Sequence, residues 1–279
     1  MAFSSGSRIN TNISAFNALN ALNAVNREMG MHQVRLASGK RVNSSADDPS
    51  GYVISKKMEG RIRALGAAVD NVGDAQSVLS VAEGGYQTIA DILVQIKEKQ
   101  TRANNGAFGA DELDAIAGEI NKLMSEIDDI NDQTKFNGVK LFKKTTADTA
   151  YSKTFQVGES SSDTLTIGFS ATTGASALLG VAAGSVTSAN ISTLTVDTAL
   201  NTVNAQLGAI GGQANRLSTK EANLMTAITN TEAAKSRILD ADIAKEQIAV
   251  VKLQILQQTA TAQLAQANAS PQVFLSLFR

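Results

Sequence analysis

Residues 58–96 read MEGRIRALGAAVDNVGDAQSVLSVAEGGYQTIADILVQI, and this stretch decides the architecture. Met58, Ile62, Leu65, Val69, Val72, Leu79, Ala82, Tyr86, Ile89, Leu93 and Ile96 recur at steps of three and four, with Gln76 as the polar interruption. That spacing lines one seam of an α-helix. The helix is predicted from about Ser50 to about Arg102, ~75–80 Å at the rise of an α-helix. Ordinary globular helices are far shorter, so a seam this long needs partner helices beside it. Gly66, Gly73, Gly84 and Gly85 interrupt the stretch. Each costs roughly 1 kcal/mol against Ala in a helix interior, so they are expected where another backbone approaches or the helix bends.

Working outward, Asn43-Ser44-Ser45-Ala46-Asp47-Asp48-Pro49 reads as a connector. Asp47 or Asp48 can cap the following helix, and Pro49 suits its first turn. On the other side, Asn104-Asn105-Gly106 turns the chain. Leu113, Ile116, Ile120, Leu123, Ile127 and Ile130 then form a ladder expected to pack antiparallel on the long helix, and Asn137-Gly138 ends that element. Helical spacing returns with Leu200, Val203, Leu207, Ile210, Ala214, Leu217, Glu221, Leu224 and Ile228. The candidate core of this helical body is Ile62, Leu65, Val69, Leu79, Ile89, Ile96, Leu113, Ile116, Ile120, Leu123, Ile127, Leu217, Leu224 and Ile228.

Both ends of the chain carry thin seams of the same kind. Ala15, Ala18, Leu22, Val25, Met29, His32 and Leu36 form one, and Val250, Leu253, Gln257, Ala260, Leu264 and Ala267 form the other. Neither can bury itself alone, so the ends are expected to pair with each other and with further copies of the chain. Between the helical parts, residues 145–196 are rich in Ser, Thr, Gly and Ala. Phe155 and Val157, then Leu165, Ile167 and Phe169, alternate on either side of a loop at Gly158–Asp163, which predicts a β-hairpin. Ala171–Thr195 reads as loop with at most a short strand. The fold class expected is mainly α: a long helical coiled-coil rod formed by paired N- and C-terminal segments, with a small β-hairpin insert.

Composition removes most chemistry. The chain has 279 residues, 43% hydrophobic and 4% aromatic, no Cys, one His and a formal charge of −1. Disulfides and thiolate metal sites are therefore excluded, and a His-based relay would have to run through His32. That residue lies in the N-terminal seam and reads as an interface side chain. Asp47/Asp48 and Asp128/Asp129 lack the loop spacing of a Ca²⁺ motif, so they read as caps and solvated faces. No catalytic, cofactor or metal residue is assigned. No basic face points to nucleic acid, and no apolar run reaches the ~18 residues of a bilayer span. The first residues lack the basic and apolar regions of a secretory signal, which taken alone reads as cytoplasmic.

Several ordered motifs then stand together. Ser7–Ala15 reads SRINTNISA and Arg35–Asp48 reads RLASGKRVNSSADD. Ala82-Glu83-Gly84 and Gln133–Leu141, QTKFNGVKL, follow. Ser236–Asp242 reads SRILDAD, and QILQQ at 254–258, LAQAN at 264–268 and LSLFR at 275–279 close the chain. With these motifs the chain resembles the bacterial flagellins over most of residues 1–145 and 200–279. The resemblance implies a structural subunit, not an enzyme, that self-assembles into the extracellular flagellar filament for motility. It implies an inner-core domain from 1–44 plus 237–279 and a helical rod domain from 45–145 plus 196–236. The β-rich variable insert 146–195 then belongs to the rod domain and is too short for large outer domains. It implies other flagellin copies, the export chaperone, the cap protein and the hook–filament junction protein as partners, and type III export without a cleaved signal.

Two other readings stand beside this one. A hook–filament junction protein shares terminal similarity, but the intact motifs from Ser236 to Arg279 argue against it. A flagellin-like glycan-binding adhesin needs aromatic platforms, for which the insert offers Tyr151, Phe155 and Phe169. Asn190-Ile191-Ser192 matches a glycosylation acceptor pattern, and the Ser/Thr-rich insert is a candidate for O-linked glycans. Finally, Gln95-Ile96-Lys97-Glu98-Lys99 stands where strongly immunostimulatory flagellins carry an R-V-R-E-L type motif. An Arg fork is lost and a Lys replaces the closing Leu, which implies weak or absent activation of the innate receptor for flagellin.

Overall fold

The computed structural model describes residues 11–143, 145, 150–169 and 173–277, with side chains up to residue 269. The motif residues Ser7–Asn10, Phe278 and Arg279 lie outside the described residues, as do residues 146–149 of the insert. The chain forms α1 (Ile13–Ser38), α2 (Pro49–Ala103), α3 (Ala110–Gln133), β1 (Lys135–Phe136), β2 (Val139–Lys140), β3 (Tyr151–Gln156), β4 (Thr164–Phe169), α4 (Ala175–Leu179), a 3₁₀ turn at Ile191–Thr193, α5 (Val196–Leu239) and α6 (Ile243–Leu277). It is mainly helical with two small antiparallel hairpins, β1–β2 and β3–β4. The described parts of Met1–Gly60 and Asn230–Arg279 make a terminal unit, and Arg61–Thr229 makes a central unit.

Local chemistry sets the helix ends. Asn12 Oδ1 accepts the Ala15 N–H at 3.0 Å and opens α1. Gly39, in the left-handed region with φ 69°, ends it. Asp48, not Asp47, caps α2: its Oδ1 accepts the Gly51 N–H at 2.9 Å and the Ser50 hydroxyl at 3.1 Å. Pro49 follows as the first helical residue, where a missing N–H costs nothing. Asp47 instead knits the connector, accepting the Asn43 and Ser44 N–H groups at 3.0 and 2.9 Å. Asp242 Oδ1 accepts the Ala244 and Lys245 N–H groups at 3.1 and 3.2 Å and starts α6.

The central unit is built on α2. α3 runs antiparallel to it, because Lys99 pairs with Glu119 while Thr134 lies against Gly85. α5 is antiparallel as well, with Lys97 Nζ 2.6 Å from Asp197 and Gln76 Nε2 3.0 Å from Glu221. Two helical neighbours need two stripes on α2. The first is the predicted one, with Leu65, Val72, Leu79, Ala82, Tyr86, Ile89, Leu93 and Ile96 buried. The second is Ala68, Ala75, Val78, Ile92 and Gln100, also buried. A spacing of three and four describes a two-partner seam, so the wider stripe of a helix packed on two sides went beyond that reading.

The hairpin forms with Tyr151 opposite Phe169 and Phe155 opposite Leu165. Leu165, Ile167 and Phe169 turn to the core while Thr164, Thr166 and Gly168 face outward, the alternation a strand requires. Val157 is buried just past the strand end. The Phe142 ring lies tilted against Tyr86 with centroids 4.4 Å apart, and Phe169 lies 6.3 Å from the same ring.

Three expectations need correction. Asn137-Gly138 does more than end a helix. It forms the two-residue turn of the β1–β2 hairpin, with φ 47° and 77°. Such a turn needs positive φ at both positions, which Asn-Gly supplies. The segment 173–195 holds no strand among the described residues; it folds as the short α4 and a 3₁₀ turn. The helical glycines do not mark close backbones within the chain. A Cβ at Gly66, Gly73 or Gly84 would meet nothing within 4 Å. At Gly85 it would meet a side chain, the Phe142 ring, at 2.6 Å.

Candidate assembly surfaces

In the terminal unit, α1 and α6 lie antiparallel. Asn12 Nδ2 donates to the Ala267 carbonyl at 2.7 Å, and Gln257 Nε2 donates to Asn26 Oδ1 at 2.8 Å. His32 Nδ1 meets Glu246 Oε2, with Arg35 3.9 Å from the same carboxylate. Beyond the helix ends, Lys40 and Asp240 form an antiparallel bridge, and the Arg41 N–H donates to the Leu239 carbonyl at 2.6 Å. His32 is thus a seam residue hydrogen-bonded to Glu246. Its partners Glu246 and Arg35 sit three or four positions from seam residues, a signal the apolar reading passed over.

The sequence-predicted seam residues are placed as follows. Ala15, Ala18, Leu22, Val25, Met29 and Leu36 are half-buried, and no described residue of α1 is fully buried. On α6, Val250, Leu253 and Ala260 are buried, while Leu264 and Ala267 are half-buried. Such a thin seam leaves most of both helices uncovered in the single chain.

What is uncovered is apolar. On α6, Ile248 is 69% exposed, Ile255 59% and Val251 45%. These three recur at helical spacing on the side opposite the seam. On α1, Phe16 is 64% exposed, Val34 55% and Met31 49%, again away from α6. Leu19, Leu256 and Ile243 are exposed as well. A helix that is apolar on both faces belongs inside a larger packing. An apolar stripe left exposed along a helix face marks a candidate interaction site. Singly scattered residues would need no such explanation, but here two adjacent helices share the property.

Three carboxylates hold the turns of this unit. The Ser44 N–H, then the Asn43 N–H, lowers the pKa of Asp47 below the ordinary carboxylate value. The Gly51 N–H does so for Asp48, and the Lys245 N–H does so for Asp242.

In the central unit the predicted core residues Leu65, Leu79, Ile89, Ile96, Ile116, Ile120, Ile127, Leu217 and Leu224 are buried. Ile62, Val69, Leu113, Leu123 and Ile228 are half-buried. The insert is pinned by polar side chains. Gln100 Nε2 donates to the Ile191 and Leu194 carbonyls at 3.1 and 3.0 Å. Asn121 brackets Val186, accepting its N–H at 3.1 Å and donating to its carbonyl at 2.9 Å. Asp128 accepts the Ala175 N–H at 2.9 Å and so caps α4. Asn131 donates to the Thr173 carbonyl at 2.8 Å and accepts the Thr173 hydroxyl. Periodic patterns do not show such clamps. The only signal was a polar residue standing on an otherwise apolar face.

The same unit speaks against a carbohydrate platform on the hairpin. Tyr151 and Phe169 are buried and stacked at 5.7 Å, and Phe155 packs against the core. Burial also pushes the phenols of Tyr86 and Tyr151 above their usual value. At the positions of the receptor motif, Ile96 is buried, Lys97 pairs with Asp197 and Lys99 with Glu119, while Gln95 and Glu98 are exposed. Among the described residues no group of three His, Cys, Asp or Glu is placed to hold a metal, and no helix is long and apolar enough to cross a membrane.

Known proteins match along nearly the whole chain. The family model for the bacterial flagellin N-terminal helical region matches residues 9–147, and that for the C-terminal helical region matches residues 193–278. Flagellin of Bacillus subtilis (strain 168) is 36% identical over 98% of this chain and 100% of its own length. Flagellin FlaB1 of Treponema pallidum (strain Nichols) is 35% identical over 97% of this chain and 99% of its own. Among solved structures, a putative flagellar hook-associated protein from Vibrio parahaemolyticus aligns with a TM-score of 0.56 at 16% identity, covering 70% of this chain and 100% of its own, which is a likeness of fold alone.

Proposed function

This chain belongs to the bacterial flagellin family and is a structural subunit of the extracellular flagellar filament, and we propose that the apolar faces left open on α1 and α6 are where its copies meet. The observation that carries this reading is the second apolar stripe of α6. Ile248, Val251 and Ile255 are exposed on the side that α1 does not cover. Removing apolar surface from water yields about 25 cal/mol per Å², so each such residue rewards docking and not the isolated fold. Ala15, Ala18, Leu22, Val25, Met29, Leu36, Val250, Leu253, Leu264 and Ala267 hold the pair together. The stripes behind them join one pair to the next.

On this reading residues 1–44 and 237–279 act as the inner-core domain. Residues 45–145 and 196–236 act as the rod domain, to which the insert 146–195 belongs. The role is structural, with no catalytic step. The exposed α6 stripe is also the segment an export chaperone would have to shield before assembly, and the cap and junction proteins would present matching helices at the filament ends. The buried hairpin rings support neither a glycan-binding role nor an adhesin. Polymerisation onto seeds tests the reading. Ile248→Asp and Ile255→Asp chains should keep the helical content of the monomer yet fail to elongate seeds, while Gln95→Asp elongates normally. Normal elongation by either α6 variant would remove the stripe from the interface.

A further inference from the structure

We propose that Asn137 is a site of self-modification, at which the folded chain converts its own Asn137-Gly138 turn to isoaspartate. The pair sits at the tip of the β1–β2 hairpin, and both residues are exposed. The ladder pairs Phe136 with Val139 and Lys135 with Lys140. The Gly138 N–H lies between the paired positions and is not used by them. Among the described residues no hydrogen bond holds the Asn137 carboxamide. Gly138 has no side chain, and a Cβ built on it would meet nothing within 4 Å apart from its chain neighbours, so the turn is open on that side.

The backbone favours the step. Asn137 has φ 47° and Gly138 φ 77°. Closing a five-membered ring between the Gly138 nitrogen and the Asn137 Cγ requires rotation about the Asn137 ψ. Turns of types I′ and II′ share a positive φ at their first central residue and differ in that ψ. Both also close two-residue hairpins. The turn therefore reaches the cyclising arrangement without unpairing Lys135 from Lys140 or Phe136 from Val139.

The bonds balance without any redox partner. The Gly138 nitrogen forms a bond to Asn137 Cγ, the Cγ–Nδ2 bond breaks, and ammonia leaves with the Gly138 amide proton. Solvent water then opens the succinimide. Attack at the main-chain carbonyl carbon leaves the backbone running through the side-chain methylene, which is isoaspartate. Attack at Cγ leaves aspartate. The new carboxylate stands at the hairpin tip, beyond the Lys135–Lys140 and Phe136–Val139 pairs.

The other Asn-Gly pair shows what holds such a step back. Asn105 is exposed too, but its Oδ1 accepts the Ala107 N–H at 3.3 Å. Its carbonyl accepts the Phe108 N–H at 3.4 Å, and its own N–H donates to the Arg102 carbonyl at 3.1 Å. Rotating ψ of Asn105 breaks the contacts with Ala107 and Phe108. The two sites have the same dipeptide chemistry and differ in what the fold does with it.

The test is incubation of the full-length chain in mildly alkaline buffer, followed by peptide mass spectrometry that separates isoaspartate from aspartate. An isoaspartyl methyltransferase assay gives a second readout, and Asn137→Gln assigns the signal. In the native chain Asn137 should convert at least about tenfold faster than Asn105, a barrier difference of about 1.4 kcal/mol. In urea the two should convert at similar rates. Equal native rates, or faster conversion at Asn105, would overturn the proposal.

Discussion

Gly84 and Gly85 are neighbours on α2, and their replacement by Ala should change stability in opposite directions. A Cβ at Gly84 meets nothing within 4 Å, so Gly84→Ala keeps only the gain in helix propensity, about 0.8–1 kcal/mol. A Cβ at Gly85 would lie 2.6 and 2.7 Å from two Phe142 ring carbons and 3.0 Å from Thr134 Oγ1. The ring cannot swing aside. Phe142 is 4% exposed and its ring lies tilted against Tyr86, centroids 4.4 Å apart, with Tyr86 itself fully buried. Overpacking of a filled core costs about 1–3 kcal/mol, which offsets the same propensity gain and leaves a net loss of about 0–2 kcal/mol. The two variants should therefore differ by about 1–3 kcal/mol. Urea unfolding of the monomeric chain, followed by far-ultraviolet circular dichroism, reads the difference as a midpoint above wild type for Gly84→Ala and at or below it for Gly85→Ala. Midpoints that rise equally for both would refute the packing argument and show that the Phe142 ring yields freely.

Other consequences are checked as directly. Tyr86 is buried with no hydrogen-bond partner for its hydroxyl among the described residues, so Tyr86→Phe should raise stability by about 1 kcal/mol, the low end of the cost of an unpaired buried polar group. Because the folded phenol titrates above its ordinary value of 10.0, wild-type stability should fall as pH rises past 10.0 and the variant should lose that term, as alkaline melting curves would show. Gln100→Leu leaves the Ile191 and Leu194 carbonyls without their donor, a cost of about 1–3 kcal/mol. Limited proteolysis should then cut near residues 181–195 sooner than in wild type. Asp47, Asp48 and Asp242 have lowered pKa values, so their contribution is complete above the ordinary 3.8 and is lost as pH falls through the lower folded values. Amide exchange across acid pH should show residues 43–51 and 240–246 loosening first. In receptor-reporter cells the full chain should give weak or no response, since Lys97 and Lys99 are tied to Asp197 and Glu119. A dose-response equal to that of a strongly stimulatory flagellin would count against that reading.

Long, repetitive elements were legible from residue types alone. Hydrophobic spacing placed α2 within a residue or two of Pro49–Ala103, and alternation at Leu165, Ile167 and Phe169 placed the hairpin. Features that depend on several distant elements were not. The second stripe of α2, with Ala68, Ala75 and Val78, appears once α3 and α5 both pack on it. The fold of 173–195 is set by Gln100, Asn121, Asp128 and Asn131 reaching across from other helices. The local sequence there, poor in large side chains, carries little preference of its own. The same limit applied to the assembly surfaces. The three–four spacing picks out one stripe on each of α1 and α6 as a candidate seam, whereas the opposite stripe of Ile248, Val251 and Ile255 reads as surplus hydrophobicity until exposure is known.

The central claim is that this surplus is covered by other copies in the filament. The chain has no Cys, so a single thiol can be placed at Ile255 or Phe16 and labelled before and after polymerisation. Both positions should react in the monomer, where they are 59% and 64% exposed. In filaments both should be protected, while a thiol at the exposed hairpin residue Thr154 serves as the reference for labelling in each state. Labelling at Ile255 and Phe16 that proceeds in the filament as fast as in the monomer would contradict the account.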